Sequence, residues 1–197
     1  MYNCIFSAYC TRSSCDKSCP TLAQTTYLLE RNKISMNSPV FQAKESSINA
    51  ALDALDKCDG KFGTWVSCNN PEGTADLFTY CAICQNWKGS QLHCCVYHLN
   101  FSRYIELIRN SWSANSECEE LEYMKIWIST CKVLIISGFR YLRFNDFESQ
   151  TMLNLIDTRM SRSKTTLVVT PDIQALVGNE KGFLCRLKQL LKEARIN

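Results

Sequence analysis

No stretch of this sequence stays apolar for the roughly 18–20 residues that a membrane-spanning helix requires, so no membrane anchor is expected. The opening Met-Tyr-Asn-Cys-Ile-Phe has no basic stretch ahead of an apolar one, which argues against a signal peptide. Long Pro/Gly/Ser linkers and internal repeats are missing, and this excludes solenoid and low-complexity architectures. Charge of one sign is not in excess either. The net charge is +3, too mild to announce a nucleic-acid binder. What the chain does have is apolar content of 46% over 197 residues, enough for one packed α/β domain with a small appendage. It also has 13 cysteines. Without a signal peptide, and in an α/β setting, reduced thiols and a metal site account for these better than a secreted disulfide scaffold. A cytoplasmic protein is expected.

Three segments follow from composition: a cysteine-rich head over residues 1–22, a connector over 23–45 and an α/β region over 46–197. In the last, helical patterns are expected at Ser46–Lys57, Ala75–Trp87, Ser102–Ser113, Cys118–Ile126, Phe147–Ser161 and Gly182–Arg195. Strands are expected at Phe62–Ser67, Leu92–Leu99, Lys132–Ile136 and Thr165–Thr170. The run Val133-Leu134-Ile135-Ile136 is continuously apolar, as a strand buried on both faces requires. Strands alternating with long helices imply a parallel sheet, with its ligand crevice beyond the strands' carboxyl ends. The loops after Ser67, Ile136 and Thr170 should meet there.

A strand, loop and helix beginning near residue 67 occupy the place of a phosphate-binding loop. Such a loop needs glycines, a lysine for the phosphates and a hydroxyl for magnesium. Here Gly73 fills one glycine slot, Thr74 stands where the lysine belongs, and Ala75 replaces the hydroxyl. Glu72 and Asp76 add negative charge where a polyphosphate needs positive. The strand ending at Ile136 should be followed by acids that hold magnesium and polarise water, but Ser137 and Gly138 follow. The station after the next strand should be polar, yet Thr170 is followed by Pro171. Three degraded stations make ATP binding and hydrolysis unexpected.

The segment from Lys132 to Thr170, with its apolar strand, Gly138 turn, Asp146-Phe147-Glu148 helix start, Asn154-Leu155-Ile156 and a following Thr-Thr strand, resembles the helicase loaders of the DnaC/DnaI type and their IstB-like relatives. The similarity in order and spacing spans about the last 150 residues. It implies an AAA+-type P-loop core without a lid domain, and a role in DNA replication. Partners would be a replicative helicase or another loader, and the encoding element a prophage or other mobile element. Because the resemblance breaks at the nucleotide-contacting positions, it implies a pseudo-ATPase rather than an enzyme. In that family an arginine near the last helix acts on a neighbouring subunit's nucleotide, and Arg186 occupies that slot; an ordinary surface arginine is the plainer reading.

Cys4, Cys10, Cys15 and Cys19 are separated by five, four and three residues. Four thiolates suit a closed tetrahedral Zn²⁺ site, whose metal would supply the folding energy of so short a segment. Isolated thiols and disulfides are the alternatives. The DnaI-type loaders carry a zinc-binding amino-terminal domain, which favours zinc. Cys81 and Cys84 match a C-x-x-C motif but fall within a helix, where core packing is the plainer reading. His93, Cys94, Cys95 and His98 alternate across a strand and form no compact site by themselves.

From Thr158 onward eight basic residues face three acidic ones. Arg159, Arg162, Lys164, Arg186, Lys188 and Lys192 are therefore candidates for contact with a partner or single-stranded DNA, against the plainer reading of a solvated face. Three functions compete: a loader-like adaptor or inhibitor, a zinc-dependent single-stranded DNA-binding protein, and an ATPase with an altered site.

Overall fold

The computed structural model describes residues 20–35, 38–86, 96–114, 118–139, 144–173 and 181–195. The elements are α1 (Pro20–Arg31), a 3₁₀ turn (Pro39–Gln42), α2 (Glu45–Asp56), β1 (Gly63–Ser67) and α3 (Pro71–Asn86). There follow β2 (Val96–Asn100), α4 (Phe101–Ala114), α5 (Glu119–Thr130), β3 (Val133–Ser137) and α6 (Asp146–Met160). The chain continues through β4 (Thr165–Thr170), α7 (Lys181–Leu190) and β5 (Leu191–Arg195).

The five strands form one sheet in the order β2-β3-β4-β1-β5, and every neighbouring pair is parallel. The step from β1 to β2 runs one way across the sheet, and all later steps run the other way. Right-handed crossovers therefore put α3 on one face and α4 to α7 on the opposite face. The strands show it in their alternation: Val133 and Ile135 join the core under α1, α2 and α3, whereas Leu134 and Ile136 join the core under α4 to α7. All five residues of β3 are buried, as its apolar run requires.

Most expected elements are present, with ends shifted by a few residues. Three expectations are revised. The connector over 23–45 carries most of α1 and packs against the sheet: Leu28, Leu29, Ile34 and Val40 lie in the same core. Its α1 end also covers the free edge of β2. Arg31 donates to the Val96 carbonyl at 2.8 Å, and the His98 amide donates to Asn32 Oδ1 at 2.6 Å. These bonds satisfy edge groups that would otherwise pair with another chain.

The second correction is the start of α3, which begins at Pro71 rather than Ala75. Proline suits the first helical turn, where its missing N–H costs nothing. The third is the carboxyl end. The helix expected over Gly182–Arg195 stops at Leu190, and Leu191–Arg195 pairs with β1 instead. Gly63 explains the choice: a Cβ there would lie 2.5 Å from Leu191 Cδ2, so glycine admits the incoming leucine. Burial of Leu191 and a strand ladder outweigh the helical preference of the tail. The expected strand Leu92–Leu99 is described only as β2, since residues 87–95 lie outside the described set, and His93, Cys94 and Cys95 with them.

Candidate functional site

The carboxyl ends of β1, β3 and β4 converge as the topology requires. Ser67 pairs with Thr170 in register, and its hydroxyl donates to the Pro171 carbonyl at 3.0 Å. That bond ties the end of β1 to the segment beyond β4, across the place where a nucleotide's phosphates would enter.

The β1–α3 loop is Cys68-Asn69-Asn70, and α3 follows at once. Asn70 caps it: the Gly73 amide donates to Asn70 Oδ1 at 3.1 Å, and the Thr74 amide to the Asn70 carbonyl at 3.0 Å. Gly73 leaves room for this cap, since a Cβ would meet Asn70 Nδ2 at 2.6 Å. The one glycine of the phosphate-loop position thus serves the protein's own asparagine. Glu72 lies in the first turn, where its charge complements the helix dipole that an anion would otherwise use. Ala75 is fully buried in the core.

The end of β3 is occupied by the protein's own groups as well. Ser137 is buried, and its hydroxyl lies 2.7 Å from His98 Nε2. On the other side of the ring, His98 Nδ1 is 3.8 Å from Asp76 Oδ1. Burial, with a smaller push from Lys33, holds the imidazole down at about 4, so the ring is neutral at pH 7. Burial, followed by the charge of Glu72, lifts Asp76 to about 6. His98 and Asp76 are therefore not an ion pair at neutral pH. Gly138 has φ +73°, and a Cβ there would lie 2.5 Å from the Asn100 side chain. No acid fits at that position without displacing Asn100. Asn100 in turn accepts from the Arg103 amide at 3.0 Å, and the Gly138 carbonyl accepts from the Ser102 amide at 3.2 Å. The end of β3 is spent on starting α4.

The Ser137–His98–Asp76 chain joins β3, β2 and α3, and sequence reasoning missed it. Only the strand order shows that β2 neighbours β3 and sets His98 beside Ser137.

The basic candidates separate. Arg159 is corrected: it is 2% exposed, and its donors are taken up inside the protein rather than on an open face. Its guanidinium donates to the carbonyls of Ile128, Cys131, Lys132 and Thr165, to Cys131 Sγ and to the Thr166 hydroxyl. It locks the end of α5 to the starts of β3 and β4. Lys164 caps α5, donating to the carbonyls of Ser129 at 2.5 Å and Thr130 at 3.1 Å. Arg186 is exposed, 3.6 Å from Asp157, and donates to Gln189. Lys188 is exposed on α7. Lys192 belongs to β5 rather than to a helix, with its ammonium 4.1 Å above the Phe62 ring. Arg162 is exposed just beyond α6.

Cys4, Cys10, Cys15 and Cys19 lie outside the described residues. Among the described residues no group of three or more His, Cys, Asp or Glu side chains is placed to hold a metal ion. Cys81 and Cys84 are buried on α3, and burial pushes both thiols up to about 12, as fits packing rather than redox chemistry. No helix among the described residues is long and apolar enough to cross a membrane.

The fold is α/β, with a five-stranded parallel sheet compatible with a P-loop-like core. No protein-family model and no curated protein sequence matches this chain.

Proposed function

We propose that this protein is a non-catalytic binding module of the helicase-loader type, an adaptor or inhibitor that acts on a replicative helicase or its loader without turning over ATP. The observation that carries the non-catalytic half is the crevice. Its loop has three residues between strand and helix, its helix end is capped by Asn70, and its acid station is a serine bonded to histidine. A polyphosphate arriving there would meet Asp76 and Glu72, and Thr74 stands where a lysine would be needed. The parallel sheet, with α3 in the crossover from β1 to β2, supports the P-loop ancestry that the Lys132–Thr170 resemblance implies. That resemblance is the ground for the replication role. Zinc held by Cys4, Cys10, Cys15 and Cys19 belongs to the same reading, as the partner-facing head.

Affinity capture from the native host tests it. A replicative helicase or loader should be recovered, and titration calorimetry with ATP and magnesium should show no heat. Phosphate release stimulated by the captured partner and abolished by a change in this chain's crevice would overturn the non-catalytic half. Recovery of no replication protein would remove the partner.

A single-stranded DNA-binding reading is favoured by one observation, the exposure of Arg162, Arg186, Lys188 and Lys192 in a chain of mild net charge. Gel shifts that weaken steeply with salt are its expected signature.

A further inference from the structure

On the outer surface, at the end of the sheet opposite the crevice, a groove of about 290 Å³ opens between α4, α5 and α6. Tyr104, Ile128, Thr151, Asn154, Thr158 and Arg162 shape it, and among the described residues no aspartate or glutamate lines it. We propose that this groove binds the phosphate of a single nucleotide, either free or at the end of a nucleic-acid strand.

The charge argument begins at the floor. Arg159 is also part of the lining, and its guanidinium is balanced by carbonyl and hydroxyl oxygens and a thiol, not by a carboxylate. Its positive charge therefore persists beneath the groove. The last carbonyls of α5 would normally make this end of that helix repel an anion. Here Arg159 takes the Ile128 carbonyl, and Lys164 takes those of Ser129 and Thr130. The repulsion is cancelled before a ligand arrives.

The donors sit on the wall and rim. Thr151, Asn154 and Thr158 follow one another at spacings of three and four along α6, so they form one stripe. Among the described residues the hydroxyls of Thr151 and Thr158 have no side-chain hydrogen bond, and Arg162 has no carboxylate within ion-pair distance. A guanidinium with no carboxylate partner can grip a phosphate with two parallel bonds. Ile128, Leu155 and the ring of Tyr104 supply an apolar side against which a base or sugar rests. The volume is at the lower end of ligand pockets, roughly 300–1,000 Å³, and suits one nucleotide unit rather than a longer stretch.

The test is a titration of the ¹⁵N-labelled full chain with inorganic phosphate, with dAMP and with a short single-stranded oligonucleotide. Phosphate and dAMP should move the amides of residues 151–162 saturably, with dAMP the tighter. Arg162→Ala should weaken dAMP about tenfold, Arg162→Lys should weaken it less, and the control Lys188→Ala should leave it unchanged. Tyr104→Ala should remove the advantage of dAMP over phosphate. An oligonucleotide that competes with dAMP identifies the strand end as the source, and one that does not identifies the free nucleotide; either supports the site. Unsaturable shifts, or equal affinity in the Arg162→Ala protein, would overturn the proposal, and neither result bears on the partner proposed above.

Discussion

The Ser137 hydroxyl and His98 Nε2 lie 2.7 Å apart, joining the interior strand β3 to the edge strand β2 at the position where an ATPase would keep a magnesium-binding acid. The pair fills that position with an uncharged, internally satisfied contact. Ser137→Ala should cost about 1–2 kcal/mol, because it leaves a buried ring nitrogen without a partner. Ser137→Asp should cost more than Ser137→Ala, since it places a carboxylate in a fully buried strand. Urea unfolding measures both, and a phosphate-release assay of the Asp variant should stay at background. An Asp variant as stable as the parent would mean the site tolerates an acid.

Two neighbouring groups predict an unusual response to acid. The folded protein refuses the His98 proton down to about 4, whereas the unfolded chain accepts it near 6.5, so this group lowers stability as pH falls through that window. Asp76 acts oppositely. The folded protein accepts its proton near 6 and the unfolded chain only near 3.8, so its contribution improves as pH falls between those values. The two offset each other between about pH 6 and 4. Asp76→Asn should steepen the loss of stability with acid, and His98→Gln should make stability rise. Urea midpoints at pH 7, 5.5 and 4.5 decide it, and equal slopes in all three proteins would refute the assignment.

Arg159 should behave as a keystone of the fold rather than a contact residue. Arg159→Ala should cost at least about 3 kcal/mol, because it strands several buried acceptors together. Arg159→Lys should recover only part of this, as one ammonium cannot reach all the acceptors that the guanidinium spans. Thermal and urea unfolding provide the measurement, and a loss below about 1 kcal/mol for the alanine variant would contradict the network.

The contact between Gly63 and Leu191 tests the position of β5. Gly63→Ala should destabilise by about 1–2 kcal/mol through overpacking against Leu191 Cδ2. In a Leu191→Ala background the same change should cost clearly less, giving a coupling that a double-mutant cycle reads directly. Additive effects would indicate that the tail does not pair with β1.

If the amino-terminal cysteines form a zinc site, the purified chain should contain one zinc per molecule. Paired changes such as Cys10→Ser with Cys15→Ser should abolish it, with little effect on unfolding of the α/β region. Elemental analysis of the same samples checks this, and a metal-free parent chain that still captures its partner would remove zinc from the mechanism.

The α/β class, the buried β3 and three of the other four strands were legible in the sequence, because each is a short apolar run bounded by turn residues. Thr74, Ser137 and Gly138 were legible too, as single letters that differ from those a nucleotide site needs. What replaced them was not. The Asn70 cap depends on α3 starting early at Pro71, which the three-residue loop imposes. The Ser137–His98 contact depends on strand order, which periodicity does not encode. The fate of Arg159 was hidden for a similar reason: its acceptors lie at the end of α5 and the starts of β3 and β4, as far along the chain from it as Ile128. The turn of the tail into β5 was invisible because Leu191 and Lys192 continue a good helical pattern, and only the glycine at 63 opens a place for a strand.

The cover on the β2 edge has a mechanical consequence. Arg31 and Asn32 hold Val96 and His98 by the backbone, and both residues are continuous in the chain with the cysteine-rich head. Through His98 that hold reaches Ser137, on the strand that ends the crevice. The segment ahead of residue 46 is thus a handle on the sheet: a version of the chain trimmed to begin there would lose its grip on β2 and present an unprotected strand to its own copies.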